Sequence, residues 1–244
     1  MSSTAPAGSI PFVLPAVTPV IHVADLAQAR ANVAVAEAAG ADGVWLISHR
    51  GDNEGLLDIA ATVGSEHPEL WIGVNCLGLR MGEAVAEIAR HRVGERIGGY
   101  WSDDAGIVDA ECDDAEADAG LRKSSGWDGL YVGGVAFKYQ RQPRDLAATA
   151  QLATRFCDVV CTSGPGTGHA AEVEKLRELR AALGDHPLAI ASGVTCENVG
   201  DHLGLIDLFL VATGISSDFH TLDPVLTGNL VSAVHQHRSS GRSV

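Results

Sequence analysis

The chain of 244 residues is poor in basic side chains, with 17 Lys and Arg against 31 Asp and Glu and a formal net charge of −14. This sign disfavours non-specific binding to nucleic acid or to an anionic membrane surface, because the long-range field repels phosphate polymers. A single small anion stays compatible with the charge, since a few aligned backbone N–H groups can hold one phosphate group. We therefore expect no nucleic-acid partner and allow a small anionic ligand.

Cysteine is also scarce, and metal-binding patterns are missing. The five cysteines follow neither a disulfide nor a metal spacing, so we expect reduced thiols and a cytoplasmic location. The ten histidines are dispersed, and no H-x-E or H-x-x-x-H pattern falls at the end of a predicted strand. The sequence therefore predicts neither a metal ion nor a redox cofactor.

Long apolar runs are absent as well. Residues 1–10 have neither a basic start nor a long apolar stretch before a cleavage site, so they do not resemble a signal peptide, and we expect them to be flexible. The longest apolar runs, such as residues 205–212, are far shorter than the roughly 20 residues that a membrane-spanning helix needs. We expect no membrane span.

Short apolar runs alternate with longer segments of helical periodicity along the whole chain. Most of the runs are apolar on both faces, which is typical of parallel strands covered by helices. N-cap residues are predicted at Asp25, Asp145 and Thr195, and Gly40 and Gly184 lie where helices should end. The eight predicted strands are residues 12–17, 43–47, 71–75, 97–101, 129–135, 158–161, 188–191 and 207–211.

Eight such βα units favour a closed (βα)8 TIM barrel, with residues 1–244 as a single domain. A doubly wound open sheet is the alternative. The acidic segment 109–118 is interpreted as the solvated face of a helix. Outer helices of a barrel also allow a homo-oligomer, although no patch in the sequence points to one.

In a barrel the loops after the strands build the active site, so the candidate catalytic residues come from the strand ends. Lys138 follows an apolar strand and could pair with an anion or act as an amine in base or Schiff-base chemistry; a Lys that merely extends over the rim is the alternative. Asp103 or Asp104 is a candidate general acid or base. His49 is a third candidate, although the charged residues of its loop could simply pair with each other.

Small residues and glycines follow the last three strands. Residues 162–169 read Thr-Ser-Gly-Pro-Gly-Thr-Gly-His, in which glycines allow a close backbone approach and hydroxyl groups supply donors. The pairs Ser192-Gly193 and Thr213-Gly214 form the arrangement from which barrels build a phosphate site, with ordinary tight turns as the alternative. The candidate ligand-binding residues are Asn75, Ser163, Gly164, Thr167, Ser192, Gly193, Thr213 and Gly214.

Several strand-end segments together resemble a known family: residues 73–77 (Gly-Val-Asn-Cys-Leu), 104–107, Lys138, 162–168, 174–176, 191–199 and 223–225. They are similar to the BtpA family of barrels, which has wider kinship with phosphate-binding barrels such as phosphoribosylanthranilate isomerase. The likeness begins near residue 71, and the first third departs from it, with Ser48-His49 where the family usually has an acidic residue and Asn. The resemblance implies a barrel with phosphate-type turns; the family's named role is stabilisation of photosystem I, and many relatives look like uncharacterised enzymes.

Two functions follow from these residues. The first is an enzyme, an isomerase or lyase without a redox cofactor, that transfers protons on a small phosphorylated compound of sugar-like or nucleotide-derived type. Lys138 and one of the two aspartates would carry the proton transfer, assisted by His49. The second is a non-catalytic binding or assembly factor that keeps the barrel. A polar pocket at the strand ends favours the enzyme, and an apolar plug there favours the factor.

Overall fold

The computed structural model describes residues 10–240, and its sheet is a closed barrel of eight strands. Every neighbouring pair is parallel, and the first strand pairs with both the second and the eighth. The predicted TIM barrel is therefore confirmed. Apart from Ile10, the segment expected to be flexible lies outside the described residues. The barrel strands are β1 (Ala16–His22), β2 (Val44–Ile47), β3 (Ile72–Asn75), β4 (Gly99–Ser102), β5 (Leu130–Gly134), β6 (Val159–Thr162), β7 (Leu188–Ala191) and β8 (Leu208–Val211).

Helices follow the strands and cover the outside of the sheet. Asp25 and Asp145 cap their helices as predicted, each accepting a hydrogen bond from the backbone N–H three residues on, at 2.9 and 2.8 Å. The helix start predicted at Thr195 is wrong, because the short connection to β8 forms only a 3-10 turn at Val199–Asp201. The α-helices of the described residues are α1 (Leu26–Ala38), α2 (Asn53–Glu66), α3 (Met81–His91), α4 (Asp113–Ser125), α5 (Leu146–Ala153), α6 (Val173–Leu183) and α7 (Pro224–Ser240).

The first predicted strand was misplaced. It was expected at residues 12–17, whereas β1 spans Ala16–His22. The physical reason is Pro19, which lies inside β1 and lacks the N–H of a ladder donor, so it interrupts the pattern expected for a central strand. The correction moves the end of β1 five residues along the chain, from Val17 to His22.

Large aromatic side chains fill the interior of the barrel. Trp45 and Trp101 belong to the apolar cluster inside the sheet, and strand glycines make room for the rings: a Cβ at Gly73 would lie 2.3 Å from the Trp45 ring. The Phe12 ring packs against Trp71 with a centroid distance of 4.9 Å. The Phe12 and Trp71 rings therefore cover the amino-terminal end of the sheet.

The acidic segment is only partly a solvated face. Asp113 and Asp114 on α4 are exposed, but Asp118 is buried. Its carboxylate accepts a hydrogen bond from Arg80 Nε at 3.1 Å, because α4 packs against α3 and a buried carboxylate requires a charged partner. The interpretation of this residue as solvated is wrong.

A small antiparallel hairpin lies between β8 and α7. It is formed by β9 (Ser216–Asp218) and β10 (Thr221–Leu222), with Phe219 and His220 at its tip. The hairpin lies beside the end of β1, where Asn32 of α1 donates to the carbonyl of His220 at 2.7 Å. In residues 10–240, no helix has the length and apolar character that crossing a membrane requires.

Candidate functional site

A cavity of about 260 Å³ opens at the carboxyl ends of the strands. Pairs of residues two positions apart line it, because alternate side chains of a strand point to the same face of the sheet. The first member of each pair is apolar and the second follows it toward the mouth. The pairs are Val20 and His22, Ile47 and His49, Trp101 and Asp103, and Leu210 and Ala212; the remaining lining residues are Leu77, Lys138, Tyr139, Thr167, Ala191, Ser192 and Thr213.

Asp103 supplies the carboxyl group among the residues that line this cavity. Its side chain accepts a hydrogen bond from Nδ2 of the buried Asn75 at 3.1 Å. Burial raises the pKa of Asp103, and the positive charge of Lys138 and the Asn75 hydrogen bond only partly oppose that rise. Asp103 therefore holds a proton more readily than a surface aspartate and suits acid–base work. Asn75, a predicted ligand-binding residue, contacts Asp103.

Asp104 has a different position. It is exposed, and its Oδ1 accepts a hydrogen bond from the backbone N–H of Gly106 at 2.8 Å, which closes a turn. Since Trp101 faces the barrel interior, strand alternation directs Asp103 to the cavity and Asp104 away from it. Of the two aspartates that the sequence left open, the structure brings Asp103 to Lys138 and His49.

Lys138 lies at the cavity wall as a free cation. Its Nζ is 5.5 Å from the centroid of the Phe137 ring, and within residues 10–240 it makes no ion pair at 4.0 Å or less. Ala136 and Tyr139 on either side adopt φ of +48° and +64°, an uncommon conformation for residues other than glycine. Lys138 is thus held in a loop whose backbone is strained at these two residues.

Ser163 and Gly164 lie behind the wall rather than in it. Ser163 has no exposed surface; its Oγ accepts from the backbone N–H of Lys138 at 2.8 Å and donates to the Gly164 carbonyl at 2.9 Å. A Cβ at Gly164 would lie 2.1 Å from the carbonyl oxygen of His169. Both residues were predicted to bind the ligand, and in this structure Ser163 instead fixes the backbone of Lys138.

Lys175 of α6 supports the same loops. Its Nζ donates to the carbonyl oxygens of Ala136 and Ser163, at 2.6 and 2.9 Å, and so joins the segments after β5 and β6. Burial lowers the pKa of Lys175 to about 8. The sequence reasoning gave this residue no role, since no local pattern shows that a helix residue reaches back to two loop carbonyls.

The loops after β6, β7 and β8 form one wall of the cavity. Ser192 adopts a φ of +80°, and its buried Oγ has no hydrogen-bond partner within residues 10–240. Thr167 and Thr213 are exposed on the same wall. A buried hydroxyl without a partner is costly, and Ser192 lines the cavity.

Gly193 and Gly214 follow these residues and pack against protein backbone. A Cβ at Gly193 would lie 2.3 Å from the backbone of Ala170, and one at Gly214 would lie 1.8 Å from the carbonyl oxygen of Val194. Glycine is thus required for loop packing. A Gly193→Val substitution is therefore expected to displace the loop after β6.

Two histidines face each other where β1 and β2 end. His49 lines the cavity, and partial burial, reinforced by the charge of Lys138, lowers its pKa. Its ring lies edge-on to that of His22, at a centroid distance of 4.8 Å. His22 was missed by the sequence analysis because the first strand was placed too early; the alternation of Thr18, Val20 and His22 along β1 is the signal that could have found it. No group of three or more His, Cys, Asp or Glu side chains in the described part of the chain is arranged to hold a metal ion.

Comparison with known proteins shows the fold. No family model matches the chain, and no curated protein matches it. Among solved structures, it is similar to native KDPGal, with 15% identity over 98% of this chain and 100% of that one and a TM-score of 0.67. It is also similar to phosphoribosyl anthranilate isomerase from Thermus thermophilus, with 15% identity over 93% and 99% and a TM-score of 0.61. A third is 2-keto-3-deoxy-6-phospho-gluconate aldolase from Zymomonas mobilis, with 12% identity over 90% and 93% and a TM-score of 0.60. The resemblance to the BtpA family stays a prediction.

An Asp103→Asn substitution is expected to raise the free energy of unfolding at neutral pH. The folded protein binds the Asp103 proton more tightly than the unfolded chain, since burial raises the pKa of this carboxyl. Below the unfolded value, about 3.9, both states are protonated and the variant gains little. As the pH rises through the raised folded value, the wild type must bury a carboxylate and loses stability relative to the variant. Urea unfolding at pH 7 and near pH 3 measures the difference; a variant that gains nothing at pH 7 would contradict the account.

Proposed function

We propose that this protein is an enzyme, an isomerase or lyase, that transfers a proton on a small phosphorylated compound. The observation that carries the proposal is that Lys138 and Asp103 line one cavity. Lys138 makes no ion pair with the described residues, and burial raises the pKa of Asp103. Groups with opposite roles that share one cavity are typical of acid–base sites.

The phosphate group would bind to the wall formed after β6, β7 and β8. Ser192 contributes a hydroxyl without a partner in residues 10–240, and Thr167 and Thr213 add two more. The backbone N–H groups of Gly193 and Val194 donate to no backbone oxygen among the described residues, and in this proposal they would turn toward the anion from their buried positions beside Ser192. Two of the similar structures are enzymes whose names refer to phosphorylated compounds, which supports a phosphorylated ligand.

The reacting part of the compound would then face Lys138 and Asp103. Asp103 exchanges the proton, and the ammonium group of Lys138 stabilises negative charge that develops on the substrate. His49, whose ring is neutral when its pKa is lowered, assists as a hydrogen-bonding partner. The cavity of about 260 Å³ suits a compound of sugar-phosphate size. The cavity is lined mainly by apolar side chains but is open and carries His49, Asp103 and Lys138 at its wall. This favours the enzyme over a non-catalytic factor, for which we expect an apolar plug.

Hydrogen exchange with solvent tests the proposal. The protein is incubated in D2O with a panel of sugar phosphates and phosphorylated nucleotide precursors, and proton NMR follows the loss of substrate C–H signals. We expect at least one compound to exchange or convert with the wild type, and the same compound to stay unchanged with Asp103→Asn. If no compound in the panel binds or exchanges, or if exchange persists in the variant, proton transfer by these residues is wrong.

A further inference from the structure

His22 is a nearly buried imidazole that the proton transfer described above does not use. It ends β1, lines the cavity beside His49, and is only 9% exposed. No ion pair or side-chain hydrogen bond from the described residues reaches its Nε2. That nitrogen is not among the fully buried, unpartnered atoms of the described residues, so it is accessible from the cavity and an atom of a ligand can contact it.

The hairpin β9–β10 fixes which nitrogen of His22 carries the proton. Nδ1 lies 3.0 Å from the carbonyl oxygen of Phe219, and a carbonyl can only accept, so Nδ1 must be the protonated nitrogen. In the neutral ring Nε2 then has a lone pair and no proton. Nε2 is therefore the nitrogen left for the cavity, and it is an acceptor.

The hairpin is itself held in place against β1 and α1. Nδ1–H of His220 donates to the His22 carbonyl at 2.8 Å, and the side chain of Asn32 bonds both the His220 carbonyl and the Leu222 N–H, at 2.7 and 2.8 Å. Gln28 donates to the carbonyls of His22 and His220. These contacts fix the Phe219 carbonyl relative to the His22 ring, so the tautomer is built into the fold.

The surroundings of His22 keep the ring neutral. Burial, together with the nearby His49, His220 and Lys138, lowers the pKa of His22 to about 4, although the Phe219 carbonyl opposes this. The rings of His49 and Phe219 pack on it at centroid distances of 4.8 and 4.2 Å. A proton on Nε2 would put a second positive charge beside Lys138.

We propose that Nε2 of His22 is a fixed acceptor that binds a hydroxyl group of the substrate and so selects hydroxyl-bearing, sugar-like phosphates over their deoxy analogues. This inference rests on the proposed function and narrows its substrate class. The selectivity has a direct physical cause, because a site built to hydrogen-bond a hydroxyl leaves its own buried group unpaired when that hydroxyl is missing.

Nitrogen-15 NMR of the imidazole rings tests the acceptor without any ligand, with the His22 signals assigned from a His22→Phe variant. We expect a neutral ring with the proton on Nδ1 throughout pH 6–8. A charged ring at pH 7, or a proton on Nε2, would overturn the inference whatever the outcome of the exchange experiments.

Paired ligands test the recognition step. Binding of D-ribose 5-phosphate and 2-deoxy-D-ribose 5-phosphate, and of matching pairs for any other compound that exchanges, is measured for the wild type, His22→Phe and the control His237→Phe. His237 is exposed on α7, far along the chain from the cavity residues. We expect His22→Phe to weaken binding of the hydroxyl compound about tenfold and to leave its deoxy partner unchanged, while the control keeps the wild-type preference.

The two proposals fail in different ways. A wild-type protein that exchanges protons on a compound but shows the same preference after His22→Phe retains the proposed function and loses the role of His22. A protein that binds no member of the panel loses the proposed function, and the role of His22 falls with it, even if NMR shows the expected tautomer.

Discussion

A Lys138→Met variant is expected to lose proton exchange by at least about 100-fold, in the range of a single acid–base group, while its melting temperature stays within a few degrees. Methionine is an unbranched side chain only one atom shorter than lysine, and it removes the charged Nζ that lies 5.5 Å from the centroid of the Phe137 ring. A Lys at the rim without a close carboxylate contributes only roughly 0–1 kcal/mol to folding. Thermal unfolding and the exchange assay measure the two effects separately.

The matched control is Lys123→Met, which removes one positive charge from an exposed position on α4. It should leave exchange unchanged, so that any loss in the first variant is due to position and not to net charge. Exchange that survives Lys138→Met would reduce the residue to a rim charge and remove the central part of the proposed mechanism.

A Gly134→Ala variant is expected to be strongly destabilised and to lose exchange as well. A Cβ at this end of β5 would lie 1.9 Å from the carbonyl oxygen of Asp103, so the loop that carries this carboxyl must move. Overpacking of this kind costs about 1–3 kcal/mol, and at about 2–4 °C per kcal/mol for a chain of this length the melting temperature falls by several degrees.

Gly120→Ala provides the comparison for the same change of residue. Gly120 lies in α4 and its Cβ would meet open space, so alanine there should stabilise by about 0.5–1 kcal/mol. Scanning calorimetry of both variants distinguishes a steric effect at Gly134 from a general effect of the substitution. Equal stability of the two variants would show that the backbone of Asp103 is not held as closely as the structure indicates.

The fold could be predicted because the strands and helices of a parallel barrel each produce a recognisable local sequence pattern. Strands buried on both faces give short apolar runs, and the helices between them give a second periodicity, so eight units could be counted from the sequence. β1 was the exception. Pro19 breaks the local pattern of a strand, but in the barrel it still pairs with Val211 of β8. The hairpin after β8 has only short strands, and its position depends on contacts with α1 that no local pattern reveals.

Of the candidate site, only the residues that directly follow predicted strands could be found from the sequence. Lys138, Asp103 and His49 were found because each follows an apolar strand, and they do line one cavity. The choice between Asp103 and Asp104 needed the register of β4. Ser163 was given a ligand-binding role because hydroxyl groups beside glycines serve either a ligand or the backbone, and only tertiary contacts distinguish the two.

The central claim is that a phosphorylated compound binds in this cavity with its phosphoryl group on the wall after β7 and β8. A crystal structure of the protein soaked with inorganic phosphate, and then with a compound that exchanges, tests it most directly. The account predicts phosphoryl oxygens about 3 Å from Ser192 Oγ or the backbone N–H of Gly193, with the rest of the compound directed to Lys138 and Asp103. A phosphoryl group bound outside the cavity, with these groups left without a partner, would contradict it.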